Sequence, residues 1–255
     1  MIILAGKVVV VTGGASGIGR SIAIRAAQLG ARAVVIGDLT EVPKEGGETT
    51  AAIAEQHGAS ARYLQCDVRS NDDLTALIEA AEDFGGVDVM VCNAGVALPS
   101  DGPEITDSDF DKLVSINLHG SLKSAQKAGA AMKARATGGS IVVISSMGGL
   151  RGAAFNLGYT MTKGGVNMMT ASLADAYGPE GIRVNAVCPG LINTRLIESS
   201  PSVAAAAQGL RERMPLRRFG EADEIGDVVA WLGSDLSSFV TGAVIPVDGG
   251  QTAVI

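Results

Sequence analysis

The sequence predicts an α/β fold: one doubly wound parallel sheet of about seven strands with helices on both faces. Three observations predict it. Seven short runs rich in valine and isoleucine recur along the 255 residues, at 7–12, 33–37, 61–66, 88–92, 140–145, 182–188 and 243–247. Each run is nearly continuous in apolar character, as suits a strand covered on both faces. Helical segments separate the runs, and strands that alternate with helices wind into a parallel sheet through right-handed crossovers.

The elements follow in order. The first run, Lys7 to Thr12, leads into a glycine-rich turn and a helix whose Ile18, Ile22, Ala26 and Leu29 share one stripe. Gly30 then stops that helix. No proline- or serine-rich linker and no internal repeat interrupts the later units, so residues 1–255 are expected to form a single domain. The least regular stretch, 191–219, carries Pro201, Pro215, an alanine run and several charges directly after a strand. A segment so placed is expected to be a lid over a ligand.

Composition excludes several classes of function. Apolar residues make up 47% of the chain, enough for a large core. The net charge of −7 argues against a nucleic-acid partner and against anionic lipid. No apolar run reaches the roughly 18 residues a membrane helix needs. Met1 to Lys7 is too short for a signal peptide and lacks a basic leader. A soluble, cytoplasmic protein with no membrane and no nucleic-acid partner is expected. Cys66, Cys92 and Cys188 each close an apolar run and lie far apart, so they are expected to be buried strand-end thiols. His57 and His119 have no metal-ligand company, and no metal site is expected.

The first strand runs directly into Thr12-Gly13-Gly14-Ala15-Ser16-Gly17-Ile18-Gly19. Glycines let the backbone approach a phosphate closely, and the helix that follows offers free N–H groups and a partial positive charge. The spacing is G-x-x-x-G-x-G, and its place after the first strand points to a pyrophosphate site. The second strand ends at Asp38, about twenty residues on, followed by Leu39 and Thr40. A carboxylate there can accept hydrogen bonds from both adenosine ribose hydroxyls and repels a 2′-phosphate. Arg20 is near in sequence but lies on the first helical turn and is expected to face elsewhere. The cofactor predicted is therefore NAD.

Tyr159 and Lys163 stand four residues apart, on one face of a helix if the segment is helical. Thirteen residues before Tyr159, the strand 140–145 ends in Ser146. Ligands of open α/β sheets bind at such strand C-termini. A free tyrosine ionises near ~10, too high for a base at neutral pH. A Lys163 ammonium and a positive nicotinamide nearby would lower it. Tyr159 is the predicted acid/base, and Ser146 the predicted holder of the substrate oxygen.

Taken as an ordered set, these motifs make the chain resemble the short-chain dehydrogenase/reductase family over essentially its whole length. The pieces are Thr12 to Gly19, Cys66-Asp67-Val68, Asn93-Ala94-Gly95, Asn117 within V-S-I-N, Ser146, Tyr159 with Lys163, Pro189-Gly190 with Thr194, and the stretches from Val240 to Gly242 and Val247 to Gly250. The resemblance implies a Rossmann-type fold and interconversion of a secondary alcohol and its ketone by hydride transfer. It implies cofactor contacts from Gly13, Ser16, Gly17, Ile18, Gly19, Asp38 and Leu39. Asp67 and Val68 would meet the adenine, and Asn93, Ala94 and Gly95 would floor the site. Pro189, Gly190, Ile192 and Thr194 would frame the nicotinamide carboxamide, while Tyr159 and Lys163 would also touch the cofactor. Asn117 would hold a water linking Lys163 to solvent, completing the catalytic set with Ser146 and Tyr159. It also implies a homotetramer, with long helices around 107–136 and 159–177 forming one interface.

Two departures stand out. Cys92 replaces a second asparagine, and Met161 and Thr162 replace small residues within the Tyr–Lys turn, where only local repacking is expected. The expected substrate walls are Val96, Ala97, Leu98, Met147, Gly148, Leu150, Leu191, Leu196 and Ile197. They are mostly apolar, which favours a hydrophobic or alicyclic alcohol, a steroid among the candidates, over a sugar or charged acid. A 3-oxoacyl-thioester reductase shares every motif, but that activity usually goes with NADP and Asp38 counts against it. A non-catalytic NAD-binding scaffold protein is the other alternative, disfavoured because all four catalytic positions are filled.

Overall fold

The computed structural model describes residues 2–98, 104–153, 156–193, 209, 211–212 and 214–254. Seven strands form one parallel sheet in the order β3-β2-β1-β4-β5-β6-β7. They are β1 Val8–Thr12, β2 Ala33–Asp38, β3 Ser60–Gln65, β4 Val89–Cys92, β5 Gly139–Ile144, β6 Ile182–Pro189 and β7 Val244–Val247. All lie within two residues of the runs read from the sequence.

Helices cover both faces. They are α1 Gly17–Gln28, α2 Thr50–Gln56, α3 Asn71–Glu82, α4 Asp107–Leu113, α5 Ser121–Arg135, α6 Leu157–Tyr177, α7 Ala222–Gly233 and the short α8 Gln251–Val254. The strand period of two sorts the core. Val8 and Val10 of β1 pack with Leu77 of α3, Met132 of α5 and Val166 of α6. Val9 and Val11 point the other way, to Ile22 and Ala26 of α1 and Ile225 and Val229 of α7. Five consecutive β1 residues are buried, so the unbroken apolar run is required by a sheet covered twice. The side-chain bond from Ser21 to Asp223 and the 2.5 Å Arg25–Asp227 pair join α1 to α7.

Sequence order reverses between β1 and β4, so the chain leaves the two C-terminal strand ends in opposite directions and opens a crevice above them. Between α4 and α5 the helix widens into a π-helical segment, Val114–Gly120, which carries Asn117. The three cysteines are buried and unpaired, as expected. Among the described residues, no helix is long and apolar enough to cross a membrane, and no cluster of potential metal ligands occurs.

Candidate active site

The crevice is built from strand ends. The Thr12 hydroxyl accepts the N–H groups of Asn93 and Ala94 at 3.1 and 3.3 Å. The Asn93 amide in turn donates to the carbonyls of Thr12 and Gly13 at 3.0 and 2.9 Å. These bonds stitch the loop after β1 to the loop after β4. The stitching explains Gly19, where a Cβ would stand 2.0 Å from the Gly13 oxygen and 2.3 Å from Asn93 Nδ2. Only a bare backbone fits there.

A cleft of about 660 Å³ lies on this floor. It collects every predicted residue of its half of the site: Gly13, Ser16, Gly17, Ile18 and Gly19 from the glycine loop, Asp38 and Leu39 beyond β2, Asp67 and Val68 beyond β3, and Asn93, Ala94 and Gly95 beyond β4. Asp38 is fixed there. Its Oδ2 accepts the Ala15 N–H at 2.9 Å and its Oδ1 the Leu39 N–H at 2.8 Å. Asp67 is held by Arg69, whose guanidinium keeps that carboxyl below its usual range. Arg20 faces away, bonding Thr50 Oγ1 and the Glu48 carbonyl.

A second cleft, about 320 Å³, continues from the first and shares Ile18, Asn93, Gly95 and Val96 with it. Here lie Ser146, Tyr159, Lys163, Pro189, Gly190 and Ile192. Ser146 follows β5: its Oγ accepts the Gly148 N–H at 3.1 Å, and a Cβ on Gly148 would stand 3.5 Å from both that Oγ and the Tyr159 ring, which places the two side chains together. Burial pushes the Tyr159 phenol above its ordinary value, the nearby Ser146 hydroxyl opposes that, and Cys188 adds to the rise. Lys163, one helical turn on, is buried, and desolvation pulls its ammonium down to about 8. Its Nζ donates to the Ile144 carbonyl at 2.8 Å. Burial therefore dominates at Tyr159, and the lowering of its phenol expected from Lys163 does not appear.

Asn117 stands behind this cluster. Its Oδ1 accepts the Val96 N–H at 2.8 Å, and its Nδ2 donates to the Val96 carbonyl at 2.9 Å and to Thr162 Oγ1 at 3.3 Å. A Cβ on Gly95 would lie 3.2 Å from Asn117 Oδ1 and 3.7 Å from Lys163 Nζ, so glycine backbone separates the two. Thr162 also donates to the Tyr159 carbonyl at 2.8 Å. A residue expected only to repack is thus a link between Asn117 and the turn carrying Tyr159.

Of the expected substrate walls, Val96, Ala97 and Leu191 line the second cleft, joined by Ile18, Ile144 and Ile192. Leu98, Met147, Gly148 and Leu150 are not among its lining residues. The turn 147–149 is tied toward the C-terminus, because Arg151 donates to the Thr252 carbonyl at 2.5 Å. Thr194, Leu196, Ile197 and most of the expected lid lie outside the described residues. Sequence reasoning missed Lys44 and Glu45, which line the first cleft. The Lys44 N–H donates to Ser16 Oγ at 2.8 Å, and Glu45 Oε1 accepts the Gly17 N–H at 2.6 Å.

The donors, the bare glycine cradle and the continuous course of the two clefts fit a dinucleotide lying from Asp38 to Tyr159. A site that seats such a molecule and ends on a phenol beside a hydroxyl is that of an oxidoreductase. The chain belongs to the short-chain dehydrogenase/reductase family. The matching family model, described as enoyl-(acyl carrier protein) reductase, covers residues 13–252. The chain is 40% identical to cis-4-hydroxycyclohexanecarboxylate dehydrogenase of Sinomonas cyclohexanicum over 97% of both chains. It is 38% identical to levodione reductase of Leifsonia aquatica, over 97% of this chain and 94% of that one. A solved levodione reductase superposes with a TM-score of 0.91 at 36% identity, covering 99% of this chain and 100% of the other. The protein is accordingly an oxidoreductase acting on CH–OH groups.

Proposed function

We propose that the protein interconverts a hydrophobic, alicyclic secondary alcohol and its ketone, with NAD as redox partner. The observation that carries this reading is that Ser146, Tyr159 and Lys163 meet in the cleft that continues the glycine-loop cleft. A bound nicotinamide supplies the hydride acceptor or donor and, when oxidised, a positive charge. Tyr159 exchanges a proton with the substrate oxygen through its hydroxyl, and Ser146 Oγ holds the same oxygen. Burial keeps the phenol protonated at neutral pH, ready to act as the acid in ketone reduction. Alcohol oxidation needs the phenolate, which neighbouring positive charge favours. Lys163 contributes its ammonium, and Asn117 positions Val96 and, through Thr162, the catalytic turn.

Three features support NAD. Asp38 sits at the end of β2 with both oxygens fixed by backbone N–H groups, so its charge cannot swing away from a 2′-phosphate. Arg20 is committed elsewhere. Lys44 brings a cation to the cleft, and Glu45 beside it brings an equal negative charge. The apolar walls Ile18, Val96, Ala97, Ile144, Leu191 and Ile192 support a hydrophobic substrate. The relative named for a hydroxycyclohexanecarboxylate agrees in the alicyclic ring and differs in its charged carboxylate.

The same reading carries a single domain, a cytoplasmic location and a homotetramer. One uninterrupted sheet supports the first, and the acidic composition the second. Met161 and Met168, seven residues apart on α6, are 53% and 69% exposed and offer apolar surface to a second copy.

The test is a panel of alicyclic, steroid and acyclic secondary alcohols, each with NAD and NADP, read as reduced nicotinamide formed. Fastest turnover of an alicyclic alcohol with NAD is expected. A preference for NADP, or turnover confined to sugars or charged acids, overturns the reading.

A further inference from the structure

The loop after β2 does more than connect to α2. Pro43 is buried, and the Gly46 N–H closes a turn onto its carbonyl at 2.9 Å. Lys44 and Glu45 form the tip of that turn. On the far side the chain is tied down again: Arg20 holds the Glu48 carbonyl at 2.7 Å, and Thr49 caps α2 by accepting the Ala52 N–H at 3.2 Å. Between the tip and this anchor lie Gly46 and Gly47. Both have positive φ, +77° and +82°, and neither has an atom within 4 Å of where a Cβ would be.

The tip rests on the glycine loop. Glu45 Oε1 takes the Gly17 N–H, the first of α1, at 2.6 Å, and Ser16 Oγ takes the Lys44 N–H at 2.8 Å. The N-terminus of α1 is where the fold offers N–H groups and positive potential to a pyrophosphate. A carboxylate is a chemical stand-in for that anion.

We infer that the 43–47 turn is a latch in which the Glu45 carboxylate competes with the cofactor's phosphates for the Gly17 N–H. The inference rests on the dinucleotide reading of the cleft. Binding of the phosphates displaces Glu45 into solvent, and the two glycines beside it absorb the movement. Release of the cofactor is assisted as the carboxylate returns. The latch therefore lowers affinity for phosphate-bearing ligands of either cofactor type, independently of Asp38.

The experiment is calorimetric titration of the full-length protein with ADP-ribose and, separately, with adenosine. Glu45→Ala is expected to bind ADP-ribose about fivefold more tightly, the worth of one competing hydrogen bond. Adenosine, which has no phosphate, is expected to bind all three proteins alike. Glu41→Ala, which removes the same charge from the same loop, is expected to leave ADP-ribose affinity within about twofold of the parent. Unchanged or weakened ADP-ribose binding in Glu45→Ala overturns the latch. So does equal tightening in Glu41→Ala, which would mark a general field rather than a contact. A parent protein that binds no ADP-ribose overturns the cleft reading itself, and the latch with it.

Discussion

Lys163 Nζ donates to the Ile144 carbonyl at 2.8 Å, joining the middle of α6 to the end of β5 two residues before Ser146. Ser145 repeats the link in reverse, its hydroxyl donating to the Lys163 carbonyl at 3.2 Å. The strand end and the helix that carry the reacting groups are thereby held in one register. The cost is a buried ammonium.

That cost makes a stability prediction. Burial lowers the Lys163 ammonium from 10.5 to about 8. Between those values the unfolded chain binds the extra proton, so the penalty is fully present below about pH 8 and fades as pH rises toward 10.5. Lys163→Met is expected to abolish turnover yet gain about 1–3 kcal/mol of stability at pH 7. Denaturant melts at pH 7 and pH 10 check this, with the gain shrinking at the higher pH. A variant less stable than the parent at pH 7, or a gain independent of pH, contradicts it.

Asp38→Ala removes the acceptor of the Ala15 and Leu39 N–H groups together with the charge that we propose excludes a 2′-phosphate. The kcat/KM with NAD is expected to fall about tenfold or more, while that with NADP holds or rises. Steady-state kinetics with both cofactors measure the ratio. An unchanged ratio would show that discrimination lies elsewhere, with Lys44 the first residue to examine.

Thr162 makes a sharper case for positioning. Thr162→Val keeps its shape and deletes the hydroxyl that bridges Asn117 Nδ2 and the Tyr159 carbonyl. Stability is expected to drop by about 1 kcal/mol and kcat by about three- to tenfold, with cofactor affinity preserved. Thr162→Ser should restore kcat. A loss of stability with no change in kcat would reduce the residue to ordinary packing.

Two glycines of one loop should respond differently to the same change. At Gly19 a Cβ would strike Gly13 and Asn93, so Gly19→Ala is expected to cost about 1–3 kcal/mol and to weaken NAD binding by more than about tenfold. At Gly17 the nearest atom to a Cβ is Glu45 Oε1 at 3.9 Å, and only the φ of +57° resists. Gly17→Ala should cost about 1–2 kcal/mol through that strain. Thermal melts and cofactor titrations of the two variants compare them directly. Equal effects would mean that the stitched floor does not govern the loop.

The fold was legible because a sheet covered twice demands unbroken apolar strands, and seven such runs are visible in the chain. Strand ends shifted by one or two residues at most, as at β3, where the edge position leaves Ser60 and Gln65 exposed and the pattern weak. Glycine loop, Asp38, Ser146, Tyr159 and Lys163 were legible because each follows or faces a strand end. The π-helical segment around Asn117 was not, since one wide turn leaves hydrophobic spacing almost unchanged. Nor was Glu45, whose contact with Gly17 joins residues 28 apart in sequence and follows no local pattern. The Thr162 bond to Asn117 was not legible for the same reason, since Asn117 is distant in sequence.

The proposed mechanism stands or falls on Tyr159 as the group that carries the proton. Tyr159→Phe keeps the ring and removes the hydroxyl alone. Its kcat for alcohol oxidation is expected to fall about a thousandfold, within the range of a positioned acid/base, while the Kd for NAD stays within about twofold. A variant that retains a tenth or more of the parent's kcat would contradict the assignment.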